Sequence, residues 1–425
     1  MITVQELKEI IHKERLKRDF LHELTPANNE IIKAKLDGTF EAVLTGNGDE
    51  KCLMPQMGTL HFLYRGQNRE VIPCLPSLYR NNPSEEDVFV EKMRLVVFKR
   101  LLESNPVIQG FFKRHHFKVD VEGLAQHYGL KTEILDLTSD LDTALFFATC
   151  QYDTADDSYH YYDDNQLRDG VLYVYIPIFD NEPNPSIDEI DYLNQNIQPI
   201  GLQAFPRPGA QNGYGMRLKR GSSTKCFMYR FSFTCEDSKY YYNKFRQGKS
   251  LWIKDKFIEK TRQIAVLKEF SFSVFNETFS KFRPSGYSAT KLKKVLSDKV
   301  VLKTNIPDFV FTEEEQKEII KDWNTEIGAK TAASIYRKYW FEAENPNIKH
   351  DYRSLKRLFE MQLQILIATP DSLEGAEWKN YNNTPGPIKK HLKNSGKWVK
   401  CPKTYEEYFG KPYLTEEDWK IKNLK

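Results

Sequence analysis

The six cysteines, Cys52, Cys74, Cys150, Cys226, Cys235 and Cys401, include no CxxC pair. A disulfide framework in so long a chain and a zinc site are both set aside. Reduced thiols in a cytoplasmic protein are the expectation. Charge of one sign is also scarce: 62 Lys and Arg face 59 Asp and Glu, a net charge of +3. That balance does not make nucleic acid or an acidic membrane the default partner. Apolar runs break within about ten residues, well short of the ~20 needed to span a bilayer. The opening MITVQELKEIIHKERLKRDF is charged throughout and lacks the apolar core of a signal peptide. There is no GxGxxG after a strand, no GxxxxGK[ST], no HExxH and no GxSxG. His115 and His116 lack metal-ligand spacing, and Cys150 and Cys226 lack evident histidine–acid partners. No metal is expected.

What is present is a packed, aromatic chain. Hydrophobic residues make up 40%, charged residues 28%, and there are 27 Phe and 23 Tyr among 425 residues. That length suggests two or three domains at roughly 100–200 residues each. The texture divides into an N-terminal helical segment (1–40), a central domain (41–244) and a mainly helical region (245–425). The expected class is α+β, with a mixed, mostly antiparallel sheet and packed helices. Strands are expected over Thr59–Tyr64, Gly170–Phe179 and Lys225–Phe233. Helices are expected over 3–24, with a Thr3–Glu6 capping box, and over Glu86–Glu103 and Asp140–Gln151. The acid-rich YDTADDSYHYYDDNQLRDG reads as a surface loop. Farther on, Thr312 and Glu315 have capping-box spacing, DYRSLKRLFEMQLQILIATP reads as an amphipathic helix, and the tail from Gly386 carries ten Lys against five acids, a solvated surface.

Four stretches hold groups suited to chemistry. LHFLYRGQ ends a strand in Arg65, Gly66 and Gln67. Arginine is the natural bidentate grip for phosphate or carboxylate, and Gly66 lets the backbone turn or a ligand approach. A buried salt bridge at a strand end is the plainer alternative for Arg65. PCLPSLYR supplies a second base, Arg80. GLAQHYGLKTEILDLTSDLDTALFFA places Gln126, His127 and Tyr128 on a short helix ended by Gly129. Asp136 and Thr138 then share one face of an extended run. Thr138 or Ser139 is expected to cap the next helix, whose N-terminus is suited to phosphate. FPRPGAQNGYGMRL adds Arg207, Gln211 and Gly213.

With YRGQ, LPSLYR, AQHYGLKTEILDLTSDLDTALFFA and RPGAQNGYG in view, the chain resembles the FRG domain family over residues 40–240. Tyr64-Arg65-Gly66 stands at the family's naming motif. Gln126, His127, Tyr128, Gly129, Thr132, Asp136, Thr138, Ala144, Leu145, Phe147 and Ala148 match its second block, and Arg207, Gln211 and Gly213 its third. Two positions depart: Glu133 replaces the usual arginine, and Leu137 the usual tryptophan. Beside Arg65 or Arg80, Glu133 would be an internal partner. A looser resemblance is to arginine-first ADP-ribosyltransferases, although no glutamate stands where that chemistry would place one.

These resemblances imply an ADP-ribosyltransferase-like fold that binds NAD as substrate and cleaves its nicotinamide–ribose bond, as an ADP-ribosyltransferase passing ADP-ribose to a macromolecule or as an NAD glycohydrolase. Arg65, Gly66, Gln67, Arg80 and Thr138 would hold the nucleotide, and Gln211, His127 and Asp136 would act at the reacting centre. The helical region would select a protein or nucleic-acid target, with no membrane involved. Such an activity would suit a toxin or anti-phage effector. The alternatives are a non-catalytic nucleotide or phospho-ligand sensor, and an interaction protein in which Arg65 and Asp136 are closed structural partners.

Overall fold

The computed structural model describes residues 1–18, 40–44, 51–55, 62–175, 197–222, 226–255, 257–329, 331, 335–336, 414 and 417–422. The helix expected over 351–370 and most of the lysine-rich tail lie outside these residues.

The strands are β1 (Ile2–Thr3), β2 (Phe40–Leu44), β3 (Lys51–Pro55), β4 (Leu63–Gln67), β5 (Ile134–Thr138), β6 (Cys150–Asp153) and β7 (Ser158–Tyr161). They continue with β8 (Arg168–Tyr175), β9 (Ile197–Pro199), β10 (Gly213–Arg217), β11 (Phe227–Phe233), β12 (Glu269–Ser271), β13 (Val301–Lys303) and β14 (Ile335–Tyr336). The helices are α1 (Val4–Arg18), α2 (Glu85–Glu103), α3 (Val121–His127), α4 (Leu141–Thr149) and α5 (Pro206–Ala210). After these come α6 (Cys235–Lys244), α7 (Phe257–Ala265), α8 (Phe272–Phe282), α9 (Ala289–Leu296) and α10 (Glu313–Asp322).

Seven strands form the main sheet in the order β1-β11-β8-β4-β5-β10-β9. Every neighbouring pair is antiparallel except β1 with β11. The α+β expectation holds. Alternation decides the two faces. Phe62, Tyr64, Leu172, Val174, Phe231 and Phe233 pack with Val4, Leu7 and Ile11 of α1 and with Ala144, Leu145 and Ala148 of α4. Leu63, Leu135, Leu137, Tyr173, Tyr175 and Tyr214 gather separately. The largest apolar cluster is helical and joins distant parts of the chain. Phe89 and Phe98 of α2 lie 5.6 and 5.2 Å, ring centre to ring centre, from Phe275 of α8 and Phe257 of α7. Phe111 meets Trp323 at 5.0 Å.

The predicted caps form. Thr3 N–H donates to Glu6 Oε2 at 2.7 Å, and Glu6 N–H donates back to Thr3 Oγ1. Thr312 and Glu315 make the same reciprocal pair before α10. Three elements differ from expectation. Of the strand expected over Thr59–Tyr64, residues 59–61 lie outside the described residues, and the strand observed is Leu63–Gln67, which β8 pairs from Leu63↔Tyr175 to Gln67↔Val171. Gly66 and Gln67 as well as Arg65 are thus inside the strand. The helix read to Gln151 stops at Thr149, where Cys150 turns extended. The acid-rich surface loop contains a β6–β7 hairpin. Its tyrosines supply the missing apolar surface: Tyr159 lies 5.1 Å from Phe146 and Tyr152 5.4 Å from Trp252.

Candidate functional site

Strands β4 and β5 meet in register at a single pair, Tyr64↔Thr138. Continuing that register would set Gly66 opposite Asp136, but no second pair forms and the strands splay. A ladder carbonyl is left over at the fork, and a buried carbonyl needs a donor. Arg65 supplies it, donating from Nη1 to the Asp136 carbonyl at 3.0 Å. A side chain thereby replaces a backbone bond, and the guanidinium is held in the gap.

The gap opens into a pocket of about 800 Å³. All eight residues proposed from sequence line it: Arg65, Gly66, Gln67, Arg80, His127, Asp136, Thr138 and Gln211. Phe147, Tyr152, Tyr159 and Trp252 form an aromatic wall, and Arg69, Asn68 and Gln126 also contribute. The size suits a drug- or nucleotide-sized ligand.

The floor holds buried polar atoms without protein partners: Arg65 Nε, Gln67 Oε1, His127 Nε2 and Asp136 Oδ1. Unpaired buried groups are costly, so a cluster of them marks a place where something else bonds. Asp136 Oδ2 is fixed by Gln126 Nε2 at 3.0 Å, while its Oδ1 faces His127 Nε2 at 3.9 Å, too far for a direct hydrogen bond. Burial pushes the His127 pKa down more strongly than the Asp136 carboxylate pulls it up. The ring is therefore neutral at pH 7. Arg80 is exposed at the mouth, its Nε bonded to the Leu75 carbonyl at 3.1 Å. Desolvation and then the Arg65 guanidinium lower its pKa. Two guanidiniums close enough to disfavour each other are suited to a shared anion.

Several expected roles change. Gly66 lines the pocket, but its missing Cβ makes room for the fold: a Cβ there would lie 1.7 Å from the Ala144 carbonyl oxygen of α4. The N-terminus of α4 is not open for phosphate. Asp140, rather than Thr138 or Ser139, caps it, accepting from Thr143 N–H at 2.9 Å. Its own carboxylate already meets the helix dipole. Thr138 Oγ1 donates to the Gln211 carbonyl at 2.7 Å and accepts from Asp140 N–H, so it can offer a ligand little beyond a lone pair. Gln211 Nε2 donates to the Leu251 carbonyl at 3.0 Å, tying the pocket to the segment before α7.

Glu133 lies with neither Arg65 nor Arg80, so it is not the internal partner it would have been beside them. It accepts from Tyr79 OH at 2.7 Å and Arg217 Nη1 at 3.1 Å, and pairs with buried Lys92 at 3.2 Å. Burial raises its pKa, but Lys92, Tyr79 and Arg217 outweigh that and hold it below the usual glutamate range. A depressed folded pKa contributes stability that is complete above the unfolded value and lost as pH falls through the folded one. Thermal melts of Glu133→Gln should therefore lie below wild type at pH 7, with the gap closing toward pH 3.

Sequence reasoning missed Trp252, Tyr152 and Tyr159, which reach the pocket only through long-range packing. Gln126 was recognised as a hydrogen-bonding group but not as the holder of Asp136. Cys150 lines the pocket with its thiol pushed up to about 12 by burial, unsuited to nucleophilic use. Among the described residues, Asp153, Asp156 and His160 bring ligand-type atoms within 4.8 Å of one another. They are largely solvent-facing, and His160 Nε2 already bonds Asp156 and Ser158 at 2.8 Å each.

The family model of the FRG domain matches residues 60–157. The match takes in seven of the eight proposed site residues and leaves out Gln211. No curated protein and no solved structure matches the chain.

Proposed function

We propose that this FRG-domain pocket binds NAD and breaks its nicotinamide–ribose bond, passing ADP-ribose to a macromolecular acceptor. The observation that carries the reading is the convergence of Arg65, Arg80, His127, Asp136 and Gln211 on one open pocket that aromatic rings also line. The guanidiniums suit a diphosphate and the aromatic rings suit a base. The C1′–N bond breaks with its electron pair leaving on nicotinamide, which departs neutral. The cationic ribose is held beside the Asp136 carboxylate. An acceptor lone pair then bonds C1′, and its proton passes to Asp136 Oδ1 or His127 Nε2. Positioning and electrostatics supply most of the acceleration. The helical region beyond 245 would present the acceptor, a protein or nucleic acid.

A second reading is a nucleotide sensor without turnover. It is favoured by the Gln211 amide being engaged with Leu251, and by the absence of glutamate from the pocket lining among the described residues. Nicotinamide release from NAD decides between the two. Wild type should release it, and Gln211→Ala should slow release about 100-fold, the scale of a misplaced reacting group. NAD binding by calorimetry with no release would leave the sensor; neither binding nor release would sink both.

A further inference from the structure

We propose that Asp157 is a positioning residue for this pocket: it sets the Tyr152 and Trp252 rings as a stacking wall for a ligand's base and ties that wall to α7 through Arg262. The proposal rests on the nucleotide reading above. Asp157 lies outside the pocket, in the β6–β7 turn, with φ of 54°. Aspartate is among the side chains that adopt this left-handed conformation, so it is the burial and bonding of Asp157 that single it out. It is 7% exposed, and a buried carboxylate requires donors. Its Oδ1 accepts from Tyr152 OH at 2.6 Å and from Trp252 Nε1 at 3.1 Å. Its Oδ2 faces Arg262 Nη2 at 3.0 Å and Arg207 Nη2 at 4.0 Å.

These bonds fix rings that would otherwise rotate. Tyr152 and Trp252 meet edge to face, their centres 5.4 Å apart, and Tyr159 lies 5.4 Å from Trp252. Arg207 covers the Trp252 ring at 4.1 Å. Burial and the Asp157 hydrogen bond push the Tyr152 hydroxyl up to about 12, so it remains a donor at neutral pH. One carboxylate therefore collects two wall residues, the hairpin and a helix of the C-terminal region.

The test compares two ligands by calorimetry: a carbocyclic NAD analogue, whose glycosidic bond cannot break, and inorganic pyrophosphate, which has no base. Asp157→Ala should weaken the analogue roughly tenfold, the scale of one lost stacking contact. Pyrophosphate binding should stay within about twofold on the same scale. Asp157→Asn, which keeps the Oδ1 acceptor, should restore most of the loss. Equal loss for both ligands, or no loss for the analogue, overturns the proposal. A second readout needs no ligand. Trp252 emission, isolated by subtracting Trp252→Phe spectra in each background, should shift red in Asp157→Ala; an unchanged spectrum overturns the proposal. If wild type binds neither ligand, the nucleotide reading fails while the emission result still decides whether Asp157 positions Trp252.

Discussion

Gly66→Ala should leave little folded protein. The added Cβ would stand 1.7 Å from the Ala144 carbonyl oxygen and 2.6 Å from its carbon. A flexible side chain could swing away from such a clash, but a helix carbonyl cannot. Ala144, Leu145 and Ala148 are fully buried, so α4 can retreat only by lifting its packed face off the sheet. Overpacking ordinarily costs about 1–3 kcal/mol, and a backbone collision this close should reach or pass the top of that range. Against a total stability of roughly 5–15 kcal/mol, that is a large share. Circular dichroism melts should show a drop of many degrees or loss of soluble protein. A melt within two or three degrees of wild type would mean that β4 and α4 are not packed this closely.

Arg65→Ala should remove most ligand binding. The ligand loses a charge-assisted contact worth about 1.5–3 kcal/mol, a fall of about 10- to 100-fold in NAD affinity and in nicotinamide release. The Asp136 carbonyl at the fork also loses its donor, which costs about 1–3 kcal/mol of stability in free and bound protein alike. Arg65→Lys should recover little, because an ammonium cannot serve the carbonyl and an anion with one planar fork. Arg80→Ala, at the exposed mouth, should cost no more than about fivefold. Equal effects from Arg65→Ala and Arg80→Ala would contradict the central place given to the fork.

The site was legible where local pattern carries chemistry. Arg65 stood out because a guanidinium followed an apolar strand. His127, Asp136 and Thr138 stood out because a helix end, a glycine stop and period-two spacing placed them close together. The capping boxes at Thr3 and Thr312 are local hydrogen-bond patterns and were readable for the same reason. What was not legible depends on partners far along the chain. Gly66 looked like room for a ligand because nothing in its neighbours reveals α4 lying across it. The α4 cap was misplaced because Thr138, Ser139 and Asp140 are all good caps, and only tertiary contact engages Thr138 with Gln211 instead. The acidic run around Asp157 looked solvated because the rings and arginines that bury it sit at 207, 252 and 262.

The helical cluster also bears on how the chain is made. The apolar face of α2 is covered by Phe257 and Phe275, and the nearer of these lies about 150 residues past the end of the helix. At roughly 5–20 residues per second, a ribosome would take on the order of 10–30 s to supply the cover. Until then Phe89 and Phe98 lack those partners on a nascent chain that already carries nearly every pocket residue. The protein should therefore depend on chaperones that shield apolar helices during synthesis, and its yield should respond to translation speed between residues 104 and 257.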